Sequence, residues 1–269
     1  MSGKMLNDYG IRLKKSLGQN FLRSADITDK IASSVENISE LTIVEIGAGA
    51  GILTKSLCRR AHKVISYEID KSLEELLNEL MKENDNLEVR MKDFLDEDMS
   101  VFDSNERYAV CANLPYYITT PLLFKLFNSS VNFESITVMV QKEMGERFLA
   151  GKNDPKYNDL SVIAHYLYDV KKVMNVSKEE FMPVPKVDSM VISFHGKKEK
   201  QVENEEKFFE FVQGIFLYRR KTLLNNLGIY FKDKEKARLC LNKAGVADNK
   251  RAQELSLEEI IELYKESLC

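Results

Sequence analysis

A chain of 269 residues, 44% hydrophobic and 30% charged, has the composition of a globular protein with a sizeable core and not that of a disordered or collagen-like one. No apolar run is long enough to span a bilayer and the first ten residues lack the apolar core of a secretory signal, so a cytoplasmic protein is expected; four scattered cysteines and three isolated histidines predict neither a disulfide framework nor a metal site. The net charge of −3 hides an asymmetry, because residues 1–23 sum to +4 and residues 212–251 to +7, which leaves −14 for the rest.

The basic N-terminal stretch ends in S-L-G-Q-N-F-L (Ser16 to Leu22). From residue 41 the pattern alternates. L-T-I-V-E-I-G-A is a continuous apolar run of strand type, and after its glycines I-L-T-K-S-L-C-R-R carries apolar residues at helical spacing. H-K-V-I-S-Y-E-I-D reads as the second strand, and the stretch after it as a helix with Leu73, Leu76, Leu77 and Leu80 on one face. L-E-V-R-M-K-D-F, Y-A-V-C-A-N and S-I-T-V-M-V-Q-K supply three further strands, and V-K-K-V-M-N-V with V-D-S-M-V-I-S-F a closing antiparallel pair at the sheet edge. Strands alternating with helices predict an α/β fold, a doubly wound parallel sheet covered on both faces. At Gly196 to Glu206 the chain becomes charged and aperiodic, and all that follows reads as helical, including R-R-K-T-L-L-N-N-L and a last helix opened by Ser256 and Glu259, a capping-box spacing. The expected division is a catalytic domain over 1–196 with a basic N-terminal arm, and a helical domain over 197–269.

Candidate chemistry falls at the strand ends. Gly47, Gly49 and Gly51 after the first strand allow a tight turn and a close approach to a ligand. Glu68 after the second strand suits ribose hydroxyls, and Asp93 after the third suits an adenine amino group, although either can also be a helix cap. An acidic Glu45 before the glycines and the short spacing disfavour a pyrophosphate and favour a cationic nucleotide, S-adenosylmethionine. After the fourth strand comes N-L-P-Y (Asn113 to Tyr116). The Asn113 side-chain carbonyl and the Leu114 backbone carbonyl can accept the two N–H bonds of an adenine amine, Pro115 stiffens the backbone, and Tyr116 can stack on the base.

Together, S-L-G-Q-N-F-L, G-x-G-x-G, N-L-P-Y-Y-I-T-T-P and F-M-P-V-P-K-V-D-S (Phe181 to Ser189) resemble the ribosomal RNA adenine N6-dimethyltransferases, over residues 12 to 264. R-R-K-T-L-L-N-N-L and E-L-S-L-E-E-I resemble the small-subunit branch, the kasugamycin-sensitivity methyltransferases; the sister branch modifies large-subunit RNA. The resemblance implies a Rossmann-like, S-adenosylmethionine-dependent sheet with a small C-terminal helical domain. It implies that Gln19, Asn20 and Leu22 close over the cofactor, Gly47 and Gly49 admit it, Glu68 holds its ribose and Asp93 its adenine. Asn113 would both contact the cofactor and bind the target amine, and Phe181 would sandwich the flipped base against Tyr116. The implied substrate is two adjacent adenines near the 3′ end of small-subunit ribosomal RNA within an assembling subunit, met by a monomer with no membrane partner. Arg219, Arg220 and Lys221 would grip RNA phosphates, although each basic run taken alone is as readily a solvated helix face. Asn158 departs from the family pattern, which has glycine after the tyrosine. The rival classes are the large-subunit branch and a binding protein of this fold.

Overall fold

A computed structural model of the chain describes residues 19–196 and 199–268. The basic arm up to residue 18, including Ser16 to Gly18 of the first motif, lies outside the described residues, as does the domain boundary at Lys197. The described residues form two compact units, 19–145 with 171–196, and 146–170 with 199–268.

The first unit is built on a seven-stranded sheet of β2 (Thr42–Ile46), β3 (Lys63–Tyr67), β4 (Leu87–Arg90), β5 (Tyr108–Asn113), β6 (Phe133–Gln141), β7 (Asp169–Val176) and β9 (Ser189–His195). Their spatial order is β4-β3-β2-β5-β6-β9-β7. The chain moves outward from β2 to β4 and then returns to lay β5 on the other side of β2, both parallel to it. That reversal makes β2/β5 a topological switch point, where open α/β sheets have a crevice beyond the carboxyl ends of the strands. β9 lies antiparallel to β6, with Gln141 opposite Ser189. Outside the sheet, β1 (Phe21–Leu22) and β8 (Phe181–Met182) form a two-stranded ladder in which Phe21 faces Met182 and Leu22 faces Phe181.

Side chains alternate across a strand, so Ile43, Val64, Ala109 and Cys111 share one face. They pack with Ile31 of α1 (Ala25–Ser33), Leu53 and Leu57 of α2 (Ile52–Cys58), and Leu76, Leu77 and Leu80 of α3 (Glu74–Glu83). Each leucine or isoleucine so buried contributes about 1.5–3 kcal/mol relative to exposure. The apolar spacing at 73, 76, 77 and 80 is thus a core face, as the sequence predicts. α4 (Thr119–Phe127) is not legible in the sequence because Thr-Thr-Pro reads as loop; Pro121 sits in the first turn, where its missing N–H has no partner to lose. After β6 the chain runs directly into α5 (Lys142–Leu149).

In the second unit, α6 (Asp159–Leu167) packs Tyr166 against Phe208 of α7 (Glu205–Phe216), ring centroids 4.9 Å apart, and Phe208 meets Tyr264 of the last helix, α10 (Leu257–Ser267), at 5.2 Å. This aromatic core draws residues 146–170 into the helical unit, whereas their sequence position assigns them to the domain over 1–196. Ser256 and Glu259 form the expected capping box on α10. The helix expected over 219–227 begins only at Leu223, as α8 (Leu223–Phe231), followed by α9 (Lys234–Lys243), so Arg219, Arg220 and Lys221 stand in the connection before α8.

Candidate active site

β2 ends where the backbone turns through Gly47 and Gly49, at φ of 83° and 55°. These are left-handed values that strain any residue with a Cβ. The Gly47 and Ala48 N–H groups donate to the Tyr67 carbonyl, which ties the turn to β3. A Cβ on Gly47 would lie 3.7 Å from the Asn113 carbonyl oxygen, so the glycine turn and the start of N-L-P-Y touch, as the switch point requires. At Gly49 the missing side chain matters twice, because a Cβ there would also come within 2.6 Å of the Phe21 ring, and glycine makes the seat for that ring. A cavity of about 990 Å³, open mouth included, spans the ends of β2, β3 and β5. It is lined by Gln19, Asn20, Leu22, Gly47, Gly49, Glu68, Asp93, Asn113, Leu114 and Tyr116, with apolar walls from Phe21, Leu53, Phe94 and Leu122.

Glu68 is 7% exposed. One carboxylate oxygen accepts from Gly49 N–H at 2.8 Å, the other from Ile69 and Asp70 N–H at 2.9 and 2.8 Å. Burial raises its pKa and the three N–H bonds oppose that rise. Glu68 therefore braces the glycine turn as well as facing the cavity. Asp93 caps the turn that follows it, accepting from Leu95 N–H at 2.9 Å with one oxygen. Asp93 is thus a cap and also lines the cavity.

Glu45 does not supply negative charge to the cleft. It is 0% exposed, lies under the turn, and accepts from Thr54 and Ser66 hydroxyls at 2.7 and 2.6 Å through one oxygen, the other having no partner. Desolvation pushes its pKa up to about 8, so it carries a proton at neutral pH. The acidic groups that do line the cavity are Glu68 and Asp93.

At the end of β5, Leu114 N–H donates to the Met139 carbonyl at 3.2 Å, and the Asn113 side-chain NH2 donates to the Asn20 carbonyl at 3.4 Å. Tyr116 hydroxyl and Ser189 hydroxyl share a 2.7 Å hydrogen bond, which fixes the ring, and burial raises the Tyr116 pKa so that it stays neutral. Phe181 departs from its expected place. Its ring is 1% exposed, sits in the core cluster with Phe21 and Leu22, and is not among the residues lining the cavity. Pairing of β8 with β1 turns Phe181 inward, so in this arrangement it offers no face to a base opposite Tyr116.

The cavity thus presents one carboxylate at each of two successive strand ends, apolar walls and the Asn113 amide, a lining that suits a ligand with both hydroxyl-bearing and flat apolar parts. The model of the family described as ribosomal RNA adenine dimethylase matches residues 10–267. The chain belongs to that family. A ribosomal RNA small subunit methyltransferase A from Staphylococcus aureus strain N315 is 38% identical over 273 residues, covering 97% of this chain and 92% of the relative. Among solved structures, a dimethyladenosine transferase from Plasmodium falciparum is 28% identical with a TM-score of 0.77, covering 91% of this chain and 96% of that one. The 23S rRNA methyltransferase ErmE is 26% identical with a TM-score of 0.72, covering 93% and 100%. As a ribosomal RNA adenine dimethylase, the chain is an enzyme that uses S-adenosylmethionine.

In this dimethylase the basic triplet of the helical unit divides its labour. Arg219 donates to the Tyr157 and Pro155 carbonyls at 2.7 and 2.6 Å, so its guanidinium holds the loop before α6 and is not offered whole to a phosphate. Lys221 lies over the Tyr218 ring, 4.1 Å from its centroid, and Arg220 is exposed with no partner among the described residues. Asn158, where the family pattern has glycine, has an extended φ of −153° and caps α6 in a reciprocal pair with Ser161. No left-handed backbone is needed, so glycine is not. The residues that sequence reasoning missed are Phe21, roof of Gly49, and the backbone of Asn20. Among the described residues no helix is long and apolar enough to cross a membrane.

Proposed function

We propose that this dimethylase transfers methyl groups to N6 of two adjacent adenines near the 3′ end of small-subunit ribosomal RNA, two on each, acting on an assembling subunit as a cytoplasmic monomer. The observation that carries the chemistry is the Asn113–Tyr116 turn at the switch point, touching the glycine turn of the cofactor cleft. The small-subunit choice is supported by a 38% identical relative named for that subunit, against 26% for one named for 23S RNA.

S-adenosylmethionine, when bound, supplies an electrophilic methyl group. Glu68 would hold its ribose, Asp93 its adenine, and the 19–22 segment with Gly47 and Gly49 would enclose it. The adenine amine is a poor nucleophile because its lone pair is delocalised into the ring. The Asn113 Oδ1 and the Leu114 carbonyl accept its two N–H bonds and hold the nitrogen so that the lone pair points along the cleft. After the first transfer one N–H remains, and one acceptor is enough to hold the monomethyl base. No strong base is required, because a positively charged nitrogen loses its proton to water. Tyr116 stacks on the base, its π-face favourable to that developing charge. Arg220 and Lys221 would contact RNA phosphates, with the helical unit as the RNA-binding domain and Arg219 shaping it.

The test is incubation with labelled S-adenosylmethionine and unmethylated small and large ribosomal subunits, followed by digestion to nucleosides. Dimethyladenosine from the small subunit alone is expected. Label in the large subunit would overturn the substrate, and label in neither, with cofactor bound, would overturn catalysis in favour of a binding role.

A further inference from the structure

Asn113 can serve the target amine only if its amide presents oxygen and not NH2, and the two ends of a primary amide have nearly the same shape. Hydrogen-bond partners alone decide which end faces the cleft. The partner here is a backbone carbonyl from the far N-terminal segment, Asn20 C=O, 3.4 Å from Asn113 Nδ2. A flipped amide would set oxygen against oxygen at that point.

The Asn20 carbonyl is itself held on both sides. Before it, Gln19 Nε2 donates to Asp70 Oδ2 at 2.7 Å. After it, Phe21 pairs with Met182 and rests on Gly49, Leu22 pairs with Phe181, and Arg23 N–H donates to the Glu180 carbonyl at 2.8 Å. We propose that the 19–23 segment, through the Asn20 carbonyl, is a positioning element that sets the orientation of the Asn113 amide for methyl transfer. This rests on the proposed role of Asn113 and adds to it: the segment that closes the cofactor cleft also readies the amide that receives the second substrate. A carbonyl is a sound choice for this, since it accepts only and cannot tolerate the wrong end of the amide.

Two measurements test the proposal on the full-length protein. In asparagine-15N-labelled enzyme, the Asn113 side-chain NH2 signals, identified by their loss in Asn113→Asp, are expected to exchange slowly with water. Gln19→Ala, which frees the segment at one end, is expected to speed that exchange at least tenfold. At saturating cofactor, with rates expressed per folded, cofactor-bound enzyme so that loss of fold cannot mimic the effect, the same variant is expected to lower kcat several-fold while leaving the KM for RNA within about threefold. Asn113→Asp keeps an acceptor but sets a carboxylate oxygen against the Asn20 carbonyl, and a loss of kcat of at least 100-fold is expected. Wild-type signals that exchange freely, or an Asn113→Asp enzyme with normal kcat, would overturn the proposal. If Asn113→Ala abolishes methylation while the wild-type amide exchanges freely, the role of Asn113 stands and only this inference falls. Normal turnover by Asn113→Ala removes both.

Discussion

The cleft at the ends of β2, β3 and β5 and the basic connection before α8 both gather polar side chains, and they use them in opposite ways. In the cleft, Glu68 and Asp93 commit part of their hydrogen-bonding capacity to the fold while still lining the cavity. In the connection the roles are separated by residue, with Arg219 bound to two carbonyls and Arg220 left to solvent. A strand end in a parallel sheet is fixed by its ladder to the neighbouring strand, so one side chain can face cavity and backbone at once. A surface connection lacks that frame, and Arg219 supplies it by binding two carbonyls of the loop before α6.

The sharpest test of this contrast is Asn113→Ala, expected to lower kcat by on the order of 10²–10³ with an unchanged melting temperature, since in the proposed mechanism it removes an acceptor of the reacting amine. Glu45→Gln probes the same unit below the cleft. The Glu45 proton is bound more tightly in the folded than in the unfolded chain, so its contribution is full below pH 4.5 and is lost as pH rises towards about 8. Glu68, with its raised pKa, acts in the same direction. The melting temperature of the variant minus that of the parent is expected to increase from pH 5 to pH 8.5, and a constant difference would contradict a protonated Glu45.

Glu68→Ala is expected to weaken cofactor binding, measured by calorimetry, and to destabilise the protein by about 1–3 kcal/mol, because the Gly49, Ile69 and Asp70 N–H groups lose their acceptor. Glu68→Gln should recover part of the stability. Smallest are the effects in the connection, where the contrast predicts a crossing. Arg219→Ala is expected to cost about 1–2 kcal/mol in denaturant unfolding, while Arg220→Ala leaves stability alone and reduces the salt slope of RNA binding by about one. Equal behaviour of the two arginines would erase the distinction.

Legibility in the sequence follows the same divide. β5 is readable to the residue because Tyr108 to Ala112 is an unbroken apolar run closed by Asn113, and the glycine turn, Glu68, Asp93 and Asn113 follow once strand ends are located. The inward turn of Glu45 has a signal too: in a strand covered on both faces, a mid-strand residue is buried whichever way it points. Phe181 and Arg219 have none. Their places depend on partners remote in sequence, Leu22 for the first and the Tyr157 carbonyl for the second, and no local periodicity encodes such pairings.

β9 enters the sheet at the rim where β6 leaves it, as the Gln141–Ser189 pairing shows. The segment 177–188 therefore reaches the substrate rim by coming before its strand, whereas the turns at Gly47, Glu68 and Asn113 reach it by coming after theirs. Those three are followed by helical turns locked into the core, so a single inserted residue would propagate into packing. The 177–188 segment starts and ends in strands of the same sheet, pinned at its foot by the Lys178 N–H to Asp188 bond. Midway it is tied down again, by the β8–β1 pairing that buries Phe181, so this half of the rim is anchored by side-chain and strand contacts where the other half is anchored by the helices that follow its turns.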